Sequence, residues 1–254
     1  MNFQLVDVFE QPYKNLEWLD LSLDQKMNLF RNNHDPKSLT QKESRVVSII
    51  NNHFDAAVHM IQKKADNALE SHVESALSKS EAFQAMIEAM PTQVPPSIEK
   101  YKNEYPSYSL QDTLIDIERH GNNLHEGQIL FHGGYFPYHQ CTDEGFITER
   151  PLSTSFCPQI ALRNAEWRGK AFDQGEIHLL VLRINSPSVK AFVFGLNGEL
   201  GNEKEVLISS NVILRPNKVS MVKENYILCK VDESLRDEEK FGKAYVIEID
   251  VEKL

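Results

Sequence analysis

The stretch Asn202-Glu203-Lys204-Glu205-Val206-Leu207-Ile208-Ser209 places two carboxylates two positions apart, directly before an apolar run. In an extended strand, residues i and i+2 lie on the same face. Glu203 and Glu205 are therefore predicted to project together, with Lys204 pointing away. Residues 194–201 contain three glycines and an asparagine, which predicts a loop that leads into this strand. Two parallel carboxylates suit a site that acts on a cationic or oxocarbenium-like centre, although a solvated strand start has the same pattern.

Composition limits the classes of function that the chain can have. The 254 residues carry a formal net charge of −10, which gives no general attraction to nucleic acid or to an anionic membrane. A local basic groove remains compatible with this charge. The three cysteines are widely spaced and odd in number, so they form neither a disulfide framework nor a metal-ligand set. We therefore expect a reducing compartment and no metal site.

The first ~90 residues are predicted to be helical. Thr40 opens a capping box, and the apolar positions in residues 46–69 recur at steps of three and four, which predicts one long amphipathic helix. Residues 91–96 contain three prolines, which cannot continue a helix. We place the joint there, between a helical N-terminal region, residues 1–97, and a main domain, residues 98–254.

The main domain changes to short apolar runs separated by turns. Many short strands with few helices between them predict an α+β fold with a mainly antiparallel core. The charged segment 230–243 is predicted to be a solvated loop or a short helix. No Gly-x-Gly-x-x-Gly unit and no phosphate-binding P-loop sequence is present. Strands are predicted at residues 128–131, 151–156, 176–184, 189–194, 205–208, 211–214, 226–231 and 244–251.

Three motifs occur in order along this domain: Phe131-His132-Gly133 at a strand end, Ser153-Thr154-Ser155 on the next strand, and Glu203-Lys204-Glu205. Together they resemble the mono-ADP-ribosyltransferase superfamily over roughly residues 110–254. The Ser-Thr-Ser and Glu-x-Glu elements match in full. The first element departs from the pattern, since such members carry Arg there, whereas His is typical of the diphtheria-toxin and poly(ADP-ribose) polymerase branch. The resemblance implies an ADP-ribosyltransferase-like mixed, mainly antiparallel β core.

The resemblance also implies two catalytic carboxylates and NAD as the co-substrate. Cleavage of the nicotinamide–ribose bond passes through an oxocarbenium-like state, which a carboxylate at the ribose stabilises. That carboxylate would be Glu205, held in its working rotamer by Ser153. Glu203 would orient or deprotonate the acceptor, and Glu at this position goes with arginine acceptors because a carboxylate pairs well with guanidinium.

The remaining residues of the motifs are implied to bind NAD. His132 would hydrogen-bond a ribose hydroxyl, and Gly133 would allow close approach of the backbone. Thr154 and Ser155, next to Ser153, would fix the strand and line the nicotinamide pocket. An aromatic ring would stack on the nicotinamide, for which Trp167 and Phe172 are both candidates.

The function implied by the resemblance is mono-ADP-ribosylation of a macromolecule by a bacterial or phage toxin or effector. A protein acceptor is favoured by Glu203 and by the acidic net charge. Modification of a nucleic-acid base is the alternative, and it would need a basic groove. NAD glycohydrolysis is a third reading, because water can intercept the same cation. The basic groove that the nucleic-acid alternative needs could be formed by Arg163, Arg168, Lys170 and Arg183.

Two readings from other classes complete the alternatives. One is a catalytically inactive binding module of the same fold, in which Glu203 and Glu205 are surface charges. The other is a serine or cysteine hydrolase, which is disfavoured because Ser155 and Cys157 lack a Gly-x-Ser-x-Gly elbow.

We also form expectations about partners and location. The N-terminus lacks a basic segment followed by an apolar one, and no apolar stretch reaches the ~18 residues that span a bilayer. No membrane partner is therefore expected. The protein is expected in the cytoplasm, or delivered into a host cytoplasm by a specialised secretion system. A neutralising antitoxin or a chaperone is a possible partner.

Overall fold

The N-terminal region combines helices with a small two-stranded sheet. The computed structural model describes residues 3–33, 35–40, 42–104, 107–141, 145–196, 203–231 and 236–254. Up to residue 88 the elements are β1 (Tyr13–Asp20), α1 (Leu23–Asn33), β2 (Lys42–Ile50), α2 (His53–Lys63), α3 (Asn67–Lys79) and α4 (Glu81–Glu88), with a 3-10 helix at Pro36–Thr40.

The prediction of a long helix after Thr40 is wrong for residues 42–50. Residues 42–50 form β2, which pairs antiparallel with β1. The apolar residues here are β-branched, and such side chains favour the extended backbone over the helix. Helix α2 begins only after Asn52, whose side chain caps the helix by accepting a hydrogen bond from the Asp55 N–H at 2.8 Å.

The part of the chain from residue 96 onward contains a mixed sheet and further α-helices. Its helices are α5 (Pro96–Asn103), α6 (Leu110–His120), α7 (Pro158–Glu166) and α8 (Lys170–Gln174). Its strands are β3 (Asn122–Asn123), β4 (Ile129–Gly133), β5 (Phe146–Ile147), β6 (Leu152–Ser155), β7 (Glu176–Ile184), β8 (Lys190–Val193), β9 (Glu205–Ile208), β10 (Val212–Val231) and β11 (Asp237–Lys253).

These nine strands of the described residues form one sheet in the order β3-β8-β9-β6-β4-β7-β11-β10-β5. Only the β7–β11 pair is parallel among the described pairs. The predicted α+β class with a mainly antiparallel core is therefore confirmed. Two details differ. The strands predicted at 211–214 and 226–231 are parts of the single strand β10. Residues 237–243, predicted as loop or short helix, belong to β11, while residues 232–235 lie outside the described residues.

The two faces of the sheet are covered by different helices. Alternate residues of β9 divide between two apolar clusters, since Val206 and Ile208 join one cluster and Leu207 joins the other. The first cluster includes apolar residues of α2, α3 and α7. The second includes Ile98 of α5 and Ile117 of α6. Helix α5 therefore lies over the face of β9 to which Glu205 also belongs, because Glu205 and Leu207 are two residues apart.

Gly133 fixes how closely α7 can pack on β4. A Cβ at this position would lie 1.6 Å from the carbonyl oxygen of Ala161 and 2.9 Å from the backbone nitrogen of Ala165. We expect Gly133→Ala to lower the free energy of unfolding by about 3 kcal/mol, because the helix must move away from the strand. Urea unfolding measures this change. Gly195→Ala is the control, since its nearest contact would be Ile87 Cγ2 at 3.6 Å. Equal losses in both variants would contradict the prediction.

Candidate active site

One cavity of about 740 Å³ collects most of the predicted site residues at the ends of β4, β6 and β9. Its lining includes His132, Gly133, Ser153, Glu203 and Glu205. Three motifs that are far apart in sequence therefore meet at one place. The sheet order explains this meeting, because β6 lies between β9 and β4.

Glu205 is a buried carboxylate at the first position of β9. Glu205 is 4% exposed, and the Ser153 hydroxyl donates a hydrogen bond to Glu205 Oε1 at 2.5 Å. The strand register explains this contact. Ser153 lies opposite Leu207 and Ser155 opposite Glu205, so Ser153 and Glu205 are diagonal neighbours on one face. The hydrogen bond from Ser153 thus orients the Glu205 carboxylate.

Thr154 and Ser155 support the site from the backbone. The Thr154 hydroxyl donates to the Val206 carbonyl at 2.6 Å, and the Ser155 hydroxyl donates to the Glu203 carbonyl at 2.7 Å. Both residues are buried, and neither is among the described residues that line the cavity. Their hydroxyls thus connect β6 to β9 and to the backbone just before β9. Gly133 lines the cavity, and its contact with α7 explains why a glycine is required there.

The carboxylates of Glu203 and Glu205 lie close together, but not because the two residues share one face of a strand. Strand β9 begins at Glu205, and Lys204 has a φ of 48°, in the left-handed region. The two carboxylates are therefore not successive members of one strand face. Lys204 does point away from them, as predicted, toward Glu70 of α3 at 3.4 Å. Residues 197–202, which contain most of the predicted loop, lie outside the described residues.

Lys102 of α5 joins the two glutamates, and sequence reasoning did not identify it. Its ammonium nitrogen lies 2.5 Å from Glu205 Oε2 and 2.9 Å from Glu203 Oε2. The same nitrogen lies 4.7 Å from the centre of the Phe194 ring. The Lys102 side chain is 13% exposed. Two carboxylates and an aromatic face thus form a site that accommodates a cation. A lysine in a polar segment gives no sequence signal for this role.

Burial controls the charge of Glu205. Removal from water raises the pKa of this carboxyl, and the nearby Lys102 ammonium and the Ser153 hydrogen bond oppose the increase. The neighbouring Glu203 carboxylate adds to the increase. The ionised form of Glu205, which would stabilise a developing positive charge, therefore depends on Lys102 and Ser153.

His132 has a defined tautomer. Its Nδ1 lies 2.7 Å from the Ser153 carbonyl oxygen, which can only accept, so Nδ1 carries the proton. Burial lowers the pKa of His132, and the Lys170 charge lowers it further, while the hydrogen bond to Ser153 acts in the opposite direction. The ring is therefore neutral near pH 7, and Nε2 is an acceptor. A neutral imidazole acceptor can receive a hydrogen bond from a hydroxyl group.

The far wall of the cavity comes from α7 and the residues that follow it. Arg163, Trp167 and Lys170 line the cavity. Phe172, the other stacking candidate, is covered by Lys240, whose nitrogen lies 4.4 Å from the ring centre. Of the four basic residues considered for a nucleic-acid groove, Arg163 and Lys170 meet at this cavity. Arg183 lines a different cavity, on β7.

Other kinds of site find little support in the described residues. No group of three or more His, Cys, Asp or Glu among them could hold a metal ion. Burial raises the pKa of Cys157 to about 11, so this thiol is not a ready nucleophile. Across the described ranges, no helix has both the length and the apolar character needed to span a membrane.

Comparison with known proteins gives matches to solved structures. No family model matches the chain, and no curated protein matches it. The ADP-ribosyltransferase Vis in complex with agmatine is 14% identical, with a TM-score of 0.34 over 80% of this chain and 87% of that chain. A further structure of Vis toxin, from Vibrio splendidus, is 13% identical, with a TM-score of 0.33 over 92% of this chain and 88% of that chain.

A second toxin gives a weaker match. The ADP-ribosylating toxin BECa of a C. perfringens binary enterotoxin, solved with NADH, is 12% identical, with a TM-score of 0.24 over 91% of this chain and 44% of that chain. The chain is thus similar to bacterial ADP-ribosyltransferase toxins at low identity.

Proposed function

We propose that the protein is an NAD-dependent mono-ADP-ribosyltransferase that transfers ADP-ribose to a macromolecular acceptor. One observation carries the proposal: a buried carboxylate, Glu205, is fixed by Ser153 at 2.5 Å, and a second carboxylate, Glu203, shares a cation with it. This arrangement suits stabilisation of an oxocarbenium-like ribose beside a separate site for the attacking group.

The chemistry assigns different work to the two carboxylates. As the bond from ribose C1′ to the nicotinamide nitrogen breaks, nicotinamide leaves with the electron pair, and positive charge develops on the ribose. In its ionised form, which Lys102 and Ser153 favour, Glu205 stabilises that charge, because the carboxylate is buried and already oriented. Glu203 then receives the proton that the acceptor loses as its bond to C1′ forms. The side chain of Glu203 is 43% exposed, which suits contact with an external acceptor.

The cavity offers groups that match the parts of NAD. Its volume lies within the range of small-molecule sites. His132 Nε2 can accept a hydrogen bond from a ribose hydroxyl, and Arg163 and Lys170 can bind the pyrophosphate. Trp167 lines the cavity and is exposed, so it is favoured over Phe172 for stacking on nicotinamide.

A cationic protein side chain is the favoured acceptor. Lys102 indicates that the space between Glu203 and Glu205 suits a positive group, and a guanidinium pairs with a carboxylate through two hydrogen bonds. The net charge of −10 also opposes binding to nucleic acid. The wider setting, that of a toxin or effector with a neutralising partner or chaperone, forms part of the same proposal.

The first experiment uses labelled NAD in a cell lysate, with the products separated into protein, nucleic acid and free ADP-ribose. We expect label on protein. Label on RNA or DNA would favour the nucleic-acid alternative, and free ADP-ribose alone would favour a glycohydrolase. No turnover in several lysates would favour a non-catalytic binding module.

The partition between transfer and hydrolysis tests Glu203. We expect Glu203→Gln to lower transfer to the acceptor by about 10²-fold and to lower NAD hydrolysis much less, because water needs less activation by a base than a cationic acceptor does. Both products are counted from the same labelled NAD. Equal losses of transfer and hydrolysis would remove the acceptor role of Glu203.

A further inference from the structure

Lys204, the residue between the two glutamates, is a buried lysine with partners on α3. Its side chain is only 4% exposed. Its ammonium nitrogen lies 3.4 Å from Glu70 Oε1 and 3.6 Å from Glu74 Oε2. A buried charge of this kind is costly unless it is paired. The pairing therefore ties the Glu203–Glu205 segment to the N-terminal region.

The Glu70 carboxylate is itself held in place by α7. The Gln159 side-chain amide donates to Glu70 Oε2 at 2.5 Å, and Arg163 Nη2 lies 3.4 Å from the same oxygen. Gln159 is fully buried and also donates to Asn67 Oδ1 at 3.2 Å. Glu70 is thus a fixed anchor between α3 and α7, and it lines the cavity.

The backbone of Lys204, whose side chain pairs with Glu70, adopts an unfavourable left-handed conformation. A φ of 48° is uncommon for a residue with a side chain, and it persists only where the surroundings impose it. The Lys204 carbonyl accepts from the Phe156 N–H at 3.2 Å, and the Glu203 carbonyl accepts from the Ser155 hydroxyl. The two carbonyls are therefore hydrogen-bonded to residues at or just after the end of β6, whereas the Lys204 side chain forms ion pairs with α3.

We propose that Lys204, Glu70 and Glu74 form a clamp through which α3 sets the position of Glu203 relative to Glu205. We refer to these three residues as the Lys204 clamp, and its role in transfer rests on the function proposed above. Of the two glutamates, Glu203 is the one whose position depends on the clamp. Glu205 lies within β9 and is bound to Ser153, whereas Glu203 precedes the strand and is partly exposed. Release of the clamp therefore displaces Glu203 and leaves Glu205 in place.

The inference gives the N-terminal region a part in the acceptor step. The three clamp residues are positioning residues, since they act on the acceptor through Glu203. A 1 Å displacement of a reacting group can cost about 10²-fold in rate. Loss of the clamp is therefore expected to appear in transfer more than in NAD cleavage.

The kinetic test compares Lys204→Met, Glu70→Gln and the double variant, with labelled NAD as donor and agmatine as the guanidinium probe. We expect the ratio of agmatine transfer to NAD hydrolysis to fall by about 10-fold or more in each single variant. The double variant should lose no more than the worse single variant, because both changes break one interaction. Lys79→Met, on the same helix and exposed, is the matched control and should keep the wild-type ratio. Equal losses of transfer and hydrolysis would overturn the inference.

A structural readout keeps the test independent of the reaction. In a crystal structure of Lys204→Met, we expect residue 204 to leave the left-handed region and the Glu203 carboxylate to move away from Lys102. The contact between Ser153 and Glu205 should remain. An unchanged Glu203 in this variant would overturn the clamp. Absence of NAD turnover in the wild type would instead overturn the proposed function, and the crystal structure would still decide the clamp. Should Lys204→Met fail to fold, the same comparison is made with Glu70→Gln.

Discussion

Replacing Glu205 with glutamine is expected to lower the rate of NAD turnover by about 10³-fold, for transfer and hydrolysis alike. Glutamine keeps the shape of the side chain and can still accept the hydrogen bond from Ser153. It removes the negative charge that faces the developing cation, so the loss reports on that charge. The measurement is the release of nicotinamide from NAD under saturating conditions.

The control for this variant is Glu224→Gln, which removes an exposed carboxylate from β10 and should leave turnover unchanged. Circular dichroism and the melting temperature establish that both variants are folded. Turnover of Glu205→Gln within about 10-fold of the wild type would show that another group stabilises the cation, and it would contradict the assignment of Glu205.

Replacing Lys102 with methionine is expected to move the acid limb of the kcat/KM profile to higher pH. Catalysis needs Glu205 ionised, and burial raises the pKa of this carboxyl. kcat/KM therefore increases as pH rises through that pKa, and the profile reports on the free enzyme. Lys102 opposes the increase in pKa, so its removal raises the pKa further. We expect the ratio of kcat/KM at about pH 8 to that at about pH 5 to increase by about 10-fold.

Lys100→Met is the matched control, because Lys100 lies on the same helix and is exposed. Its profile should coincide with that of the wild type. A downward shift of the acid limb in Lys102→Met, or no shift, would mean that Lys102 does not set the charge of Glu205 in the free enzyme. The comparison separates this electrostatic role from any general effect of removing a lysine from α5.

The central pair of the site could be predicted because both partners lie in short, regular strands. Ser153 lies in a short segment that begins at Pro151, and Glu205 directly precedes the apolar run Val206-Leu207-Ile208, so local sequence predicts a strand at each place. Their contact then depends only on β6 and β9 being neighbours. The order of the three motifs supplied that information through the resemblance to a known superfamily.

The cations around the pair could not be predicted. Lys102 and Lys204 look like ordinary surface lysines in sequence, since long-range pairing leaves no local pattern. Strand periodicity predicts that Lys204 points away from the glutamates, but it does not predict that Lys204 is buried. The helix predicted for residues 42–50 is wrong for a related reason. Their apolar positions fit a helical period, yet the choice between helix and strand depended on pairing with β1.

The position of β11 in the sheet has a consequence for how the protein folds during synthesis. β11 lies between β7 and β10, although its residues 237–253 follow those of the other described strands. One edge of β7 therefore has no partner strand at the stage when the described residues that line the cavity have been translated and β11 has not. An open, apolar strand edge can pair with other chains. We expect the nascent chain to be prone to aggregation until β11 is translated, and the long-range parallel pairing to make folding slow.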